Sequence, residues 1–224
     1  MEQVDFKSVY REIFPFWNKI SEGEKEFICN HSTDIVYKKG TTVYDSTECS
    51  GVIFVQSGCL RVYMMSDEGK DITLYRLYKG DMCMLSASCV LSSITFDVFV
   101  DAEEDSECYV INGYAFMQVS NSNPDIKVFS LETAVSRFSD VMWVMQQILF
   151  MSMDKRLAIF LLDEASRTKS DFIALTHEQI AKYIGSAREV VSRMLKYFAN
   201  EGIVKPSRKG VTIMDKERLR ALTL

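Results

Sequence analysis

The stretch LTHEQIAKYIGSAREVVSRMLKYF, residues 175–198, decides how the rest of the chain is read. Thr176 followed by Gln179 has the spacing of a capping box, in which each side chain satisfies a backbone N–H at a helix start. Ile180, Ala181 and Ile184 then fall on one face, and the small Ala181 permits a close helix crossing. Gly185 supplies a turn. Ser186 and Glu189 repeat the box spacing and open a second helix whose inner face is Val190, Val191, Met194, Leu195 and Phe198. Two capped helices joined by a short glycine turn make a helix-turn-helix. Its second helix would present Arg188, Glu189, Ser192 and Arg193 outward from its first turns, where such helices reach base edges.

Downstream, residues 202–204, 205–210 and 211–214 read as strand, basic turn and strand, a wing. Lys205, Arg208 and Lys209 are placed there to contact phosphates, and the hydroxyls of Thr176, Ser186 and Ser192 are assigned to phosphates with them. The charge distribution agrees. Residues 154–224 carry 14 Lys and Arg against 9 Asp and Glu, whereas residues 1–153 carry 12 against 22. Only the C-terminal part is therefore expected to meet a polyanion, although the whole chain has a net charge of −5.

Upstream, Asn123 and Pro124 open a long helix, Asn as N-cap and Pro at the first helical position. Val128, Leu131, Val135, Phe138, Met142, Met145 and Leu149 follow at alternating spacings of three and four, an a/d seam held for about three heptads. Ala134, Val141 and Ile148 make a second row beside it. One row can pack on the chain's own β domain while the other meets a partner helix, which predicts a parallel homodimer. Another helix, from Asp154 to Arg167, leads into the helix-turn-helix across a hinge near 152–154.

Between about Asp34 and Ile111 the sequence changes to short β-rich runs at 51–56, 59–65, 72–78 and 95–100. The breaks at 57–58, 67–69 and 79–81 are turn chemistry. Such short, regularly spaced strands indicate an antiparallel sandwich or barrel. Ahead of them, residues 5–30 read as short amphipathic helices, with a capping-box spacing from Ser21 to Glu24.

Other chemistry is sparse. The N-terminus lacks a signal-peptide core, and no segment reaches the ~18–20 apolar residues of a membrane span, so a cytoplasmic protein with no membrane partner is expected. Cys29, Cys49, Cys59, Cys83, Cys89 and Cys108 form no C-x-x-C pair, which disfavours a metal site and fits reduced thiols. Two distant histidines, no G-x-S-x-G and no phosphate loop leave no catalytic constellation. A lone nucleophile such as Cys83 is the only enzymatic alternative. His31 reads as structural, and His177 as a phosphate contact or a solvent-facing residue.

Residues 184–195, IGSAREVVSRML, are close to the I-G-x-S-R-E-T-V-x-R-x-L pattern of the Crp/Fnr superfamily, which the chain resembles over essentially its full length. The resemblance implies an α+β fold in three parts. These are an N-terminal antiparallel double-stranded β-roll of jelly-roll type (1–123), a dimerisation helix (124–153) and a winged helix-turn-helix (154–224). It implies a transcription regulator gated by a signal sensed in the roll, with Arg188, Glu189 and Arg193 reading bases. The partners would be a palindromic double-stranded DNA site, a second copy of the chain, a small-molecule effector and, for an activator, RNA polymerase. A sensory module acting through protein contacts alone is the rival. Ala187 and Val190 depart from the pattern, where Ser and Thr are common.

In cyclic-AMP-binding members a Gly-Glu pair holds the ribose and an Arg-Ser pair the cyclic phosphate. Here those positions fall near Met84–Leu85 and Phe96–Asp97. Phe cannot replace a guanidinium, and a carboxylate repels a phosphate, so tight cyclic AMP binding is not expected. An effector pocket lined by Met82, Cys83, Met84, Leu85, Cys89 and Phe96, with Asp97 beside it, would suit an apolar or aromatic molecule. Redox sensing through Cys83 and Cys89, or haem with a Cys, Met or His31 axial ligand, are the other inputs. An iron–sulfur cluster is not expected, because only Cys29 lies near the N-terminus.

Overall fold

The computed structural model describes residues 4–45, 50–84 and 97–224. It divides into two compact units, one of residues 1–69 and 74–141, the other of residues 70–73 and 142–224. The division falls inside a single long helix.

The first unit opens with α1 (Phe6–Ile13) and α2 (Glu22–Asn30). Ser21 and Glu24 form the expected reciprocal capping box on α2. Among the described residues eight strands follow: β1 (Ser32–Tyr37), β2 (Thr42–Tyr44), β3 (Val52–Ser57), β4 (Leu60–Met65), β5 (Asp71–Leu77), β6 (Met82–Cys83), β7 (Phe99–Ala102) and β8 (Ser106–Ile111). They build two four-stranded sheets, ordered β1-β8-β3-β6 and β2-β7-β4-β5. The run expected as a strand over 95–100 starts later, at Phe99. Its first residues, Thr95 and Phe96, lie outside the described residues.

The apolar run of β3 shows how the sequence fixes this unit. Ile53 and Val55 enter one cluster between the sheets, with Leu60, Val62, Leu74, Leu77, Cys83, Val100, Cys108 and Val110. Val52 and Phe54 point the opposite way, into a second cluster with Tyr10, Trp17, Ile28, Met82, Met84, Ile111 and Phe116. A strand buried on both faces reads as a continuous apolar run, because alternate side chains serve different cores. The second cluster uses α3 (Gly113–Ser122), a helix that the strand-and-turn reading does not reveal.

Then comes α4 (Pro124–Phe150), ~40 Å long at 1.5 Å per residue. Asn123 Oδ1 accepts from the Asp125 backbone N–H at 3.0 Å, so Asn123 caps it as expected. The two rows of α4 part company. Val141 packs against the roll cluster, while the seven seam residues from Val128 to Leu149 are 44–66% exposed.

The second unit holds α5 (Met153–Thr168), β9 (Phe172–Ile173), α6 (His177–Tyr183), α7 (Arg188–Asn200), β10 (Val204–Ser207), β11 (Gly210–Ile213) and α8 (Lys216–Ala221). Its core is the inner face of the helices: Leu157, Leu161, Ile180, Val191, Leu195 and Phe198 are fully buried, with Ile203, Val211 and Leu219 beside them. Three strands in the order β10-β11-β9 form the wing sheet. Lys205 and Pro206 belong to β10, so the basic turn is shorter than expected, and only Arg208 and Lys209 bridge the hairpin. The proline is tolerated because β10 is an edge strand. Gly210 is required: a Cβ there would lie 2.1 Å from the Ile173 carbonyl oxygen.

Candidate nucleic-acid interface

Helix α6 is a self-satisfied element. Thr176 accepts from the Gln179 N–H, and Gln179 accepts from the Thr176 N–H at 2.9 Å, closing the expected box. The chain then turns through Gly185 at φ +58°, a left-handed conformation that costs a glycine little. Helix α7 starts differently from the sequence reading. Its N-cap is Ala187, with no side-chain hydrogen bond, so the Ser186–Glu189 box does not form. The reason is register. The Ser186 N–H is spent on the Ala181 carbonyl, which keeps Ser186 in the turn, one residue ahead of the cap position.

The failed box releases Glu189. Its carboxylate has no capping task and stands exposed beside Arg188, with Arg193 one turn and a half further along. These side chains span ~7.5 Å of helix axis, about two base-pair steps. The face behind them is closed, since Val191, Leu195 and Phe198 are fully buried. Lys205, Arg208 and Lys209 are exposed on the wing, and Thr176 is exposed at the head of α6. Among the described residues no ion pair engages Arg188, Arg193, Lys205, Arg208 or Lys209, whereas Arg218 and Arg220 on α8 are each paired with a glutamate.

Two placements differ from the sequence reading. Ser192 is held from within, its hydroxyl 2.8 Å from His177 Nδ1, so His177 links the two helices instead of facing solvent. Lys196, which the reading omitted, is exposed four residues after Ser192 on the same face of α7. The i, i+4 spacing is its only sequence signal.

The packed interior of the roll is a different environment. Met82 and Met84 do not line it; strand alternation sends them to the helical cluster and leaves only Cys83 on the roll side. Asp97 is exposed. Leu85, Cys89 and Phe96 lie outside the described residues. Tyr75 on β5 packs partly buried against the roll cluster, with its hydroxyl buried and without a hydrogen-bond partner. Burial holds it protonated well above the ordinary tyrosine range. The Arg137 guanidinium lies 5.1 Å from the Tyr75 ring centroid, anchored by Asp140 at 3.1 Å and Asp81 at 3.2 Å. Burial also pushes the thiols up, to about 12 for both Cys59 and Cys108. His31 Nδ1 lies 2.7 Å from the Phe27 carbonyl oxygen, a structural contact.

Residues 155–222 match the Crp-like helix-turn-helix domain, and residues 34–123 match the cyclic nucleotide-binding domain. A crystal structure of a transcriptional regulator of the Crp/Fnr family from Eubacterium rectale is 43% identical, covers 95% of this chain and 99% of its own, and superposes with a TM-score of 0.90. The chain belongs to the Crp/Fnr family. Curated relatives of this Crp/Fnr regulator are more distant. The transcriptional activator protein anr of Pseudomonas aeruginosa is 26% identical over 194 residues, 83% of this chain and 78% of its own length. The cAMP-activated global transcriptional regulator CRP of Pasteurella multocida is 22% identical over 181 residues, 78% of this chain and 86% of its own. The relatives are DNA-binding transcription regulators and not enzymes. No described helix of the Crp/Fnr chain is long and apolar enough to cross a membrane.

Proposed function

We propose that the chain works in the cytoplasm as a homodimer that reads a two-fold-symmetric DNA site with α7 and is gated by an uncharged small molecule held in the β-roll. The observation that carries this reading is the exposed, unpaired set Arg188, Glu189 and Arg193 on a helix whose other face is fully buried. Each arginine can pair with guanine and Glu189 can accept from cytosine N4. The exposed α4 seam joins two copies in parallel. Thr176, Ser186, Lys196 and the wing bases Lys205, Arg208 and Lys209 take phosphates, with Ser192 presented by His177. RNA polymerase would be a further partner if the protein activates.

The Tyr75 hydroxyl favours a ligand that offers a hydrogen-bond acceptor to the roll. Arg137 is already balanced by Asp81 and Asp140, which disfavours its taking a cyclic phosphate. Cys59 and Cys108 make poor thiol sensors, because thiols held near 12 carry almost no thiolate at neutral pH.

Selection of genomic fragments with the purified protein should recover a palindrome whose half-sites lie ~34 Å apart. Recovery of no symmetric site would overturn the DNA reading. Mass spectrometry of molecules released from the native protein, with a visible spectrum for haem, tests the input; a haem band or a retained cyclic nucleotide would replace the effector proposed above.

A further inference from the structure

Arg156 stands one turn into α5, just after the break that ends α4. It is only 9% exposed, and among the described residues no carboxylate faces it. Its guanidinium donates instead to two backbone carbonyls, those of Ile184 and Gly185, the second at 3.2 Å. Ile184 is the C-cap of α6, and Gly185 is the left-handed residue from which the chain enters α7. The last carbonyls of a helix lack intrahelical donors and carry the negative end of its dipole. A buried cation can therefore be satisfied there without a counter-ion. Leu157, Ala158, Ile180 and Ile184, buried in the same core, are apolar and offer no side-chain donor to replace the guanidinium.

We infer that Arg156 is the positioning residue of the reading head. It ties the first turn of α5 to the turn that launches α7, so that the direction of α7 is set by the start of α5 and not by a cap of its own. The missing side-chain cap at Ala187 makes this tie more important, because α7 has no side-chain hydrogen bond of its own at its start. The inference rests on the proposed reading of DNA by α7. It separates Arg156 from an ordinary core residue, for which an apolar side chain of similar length would serve as well.

The test uses the full-length protein with two duplexes of equal length, one carrying the site selected by the wild-type protein and one of random sequence. Arg156→Met should weaken binding to the selected duplex about 10- to 100-fold, the size of one lost base contact, and leave the random duplex within about twofold. The salt dependence on the random duplex should not change, because Arg156 touches no phosphate. Arg156→Lys, which keeps a donor, should recover part of the loss. Independently of DNA, amide hydrogen exchange in Arg156→Met should accelerate over residues 184–190 while residues 194–198 keep their protection. An unchanged ratio between the duplexes, or wild-type exchange at 184–190, overturns the inference. Exchange that rises uniformly from 153 to 222 also overturns it, since Arg156 would then only stabilise the fold. If the wild-type protein selects no site, the proposed function fails, and the exchange result alone decides the role of Arg156.

Discussion

In the winged module the informative polar side chains stand outside the fold, whereas in the β-roll the informative one, Tyr75, has its hydroxyl buried. Arg188, Glu189 and Arg193 project from a helix whose opposite face is packed to zero exposure. Tyr75 sits among the apolar residues of the roll with its hydroxyl unpaired. The first arrangement costs little, because water satisfies exposed charges until DNA replaces it. The second leaves a buried polar group unsatisfied, at ~1–3 kcal/mol. The contrast teaches that the output surface persists unliganded at little cost, while the roll carries a buried hydroxyl that a bound acceptor would satisfy.

The largest expected effect comes from severing the two copies. Leu131→Glu combined with Phe138→Glu puts like charges into the α4 seam, and analytical ultracentrifugation should find monomers at micromolar concentration. Affinity for a symmetric duplex should fall by about 10²- to 10⁴-fold as the linked second contact is lost. A variant that remains dimeric would move the interface off α4.

Arg188→Ala and Arg193→Ala should each cost about 1–3 kcal/mol on the selected duplex and leave the dimer intact. Fluorescence anisotropy with single-base variants of the site would also show relaxed preference at one position each. Unchanged binding in both would place the reading head elsewhere.

Alkaline pH should strain the roll. Unfolded cysteines lose their protons near pH 9, but Cys59 and Cys108 hold theirs to about 12 in the fold, through burial first and then Glu103 and Cys83 respectively. Between those limits the folded state binds more protons, so stability should fall as pH rises from about 9 towards 12. Urea denaturation in reducing buffer across that window would show it, and Cys59→Ser with Cys108→Ser should flatten the slope.

Tyr75→Phe removes a hydroxyl that makes no bond. Unliganded stability should therefore hold or rise by ~1 kcal/mol, measured by chemical denaturation, while the effector response is lost. A clear destabilisation would make the hydroxyl structural and dissolve the contrast between the two regions. The smallest effect belongs to the wing: Lys209→Ala should lower the salt dependence of binding by about 0.9 in log–log slope, uniformly across sequences.

Much of this was legible in order and spacing. The 3-4 seam on α4 gave both of its faces, since Val141 packs on the roll and the a/d residues stand exposed. The Thr176–Gln179 box formed as its spacing required. The Ser186–Glu189 box has the same spacing and did not form, because a backbone bond to Ala181 had already claimed Ser186 for the turn. Strand alternation likewise dismantled the set of pocket residues at 82–84, which composition alone had grouped.

By itself the sequence of this Crp/Fnr protein determined the elements, their buried faces and the outward position of Arg188, Glu189 and Arg193, because periodicity and capping act over a few residues. Only tertiary structure decided that Glu189 is free of its cap, that His177 holds Ser192, that Tyr75 is buried beside Arg137, and that Arg156 closes the end of α6. Each of these joins residues 15 or more positions apart, or turns on a backbone bond, and neither leaves a period in the sequence to read.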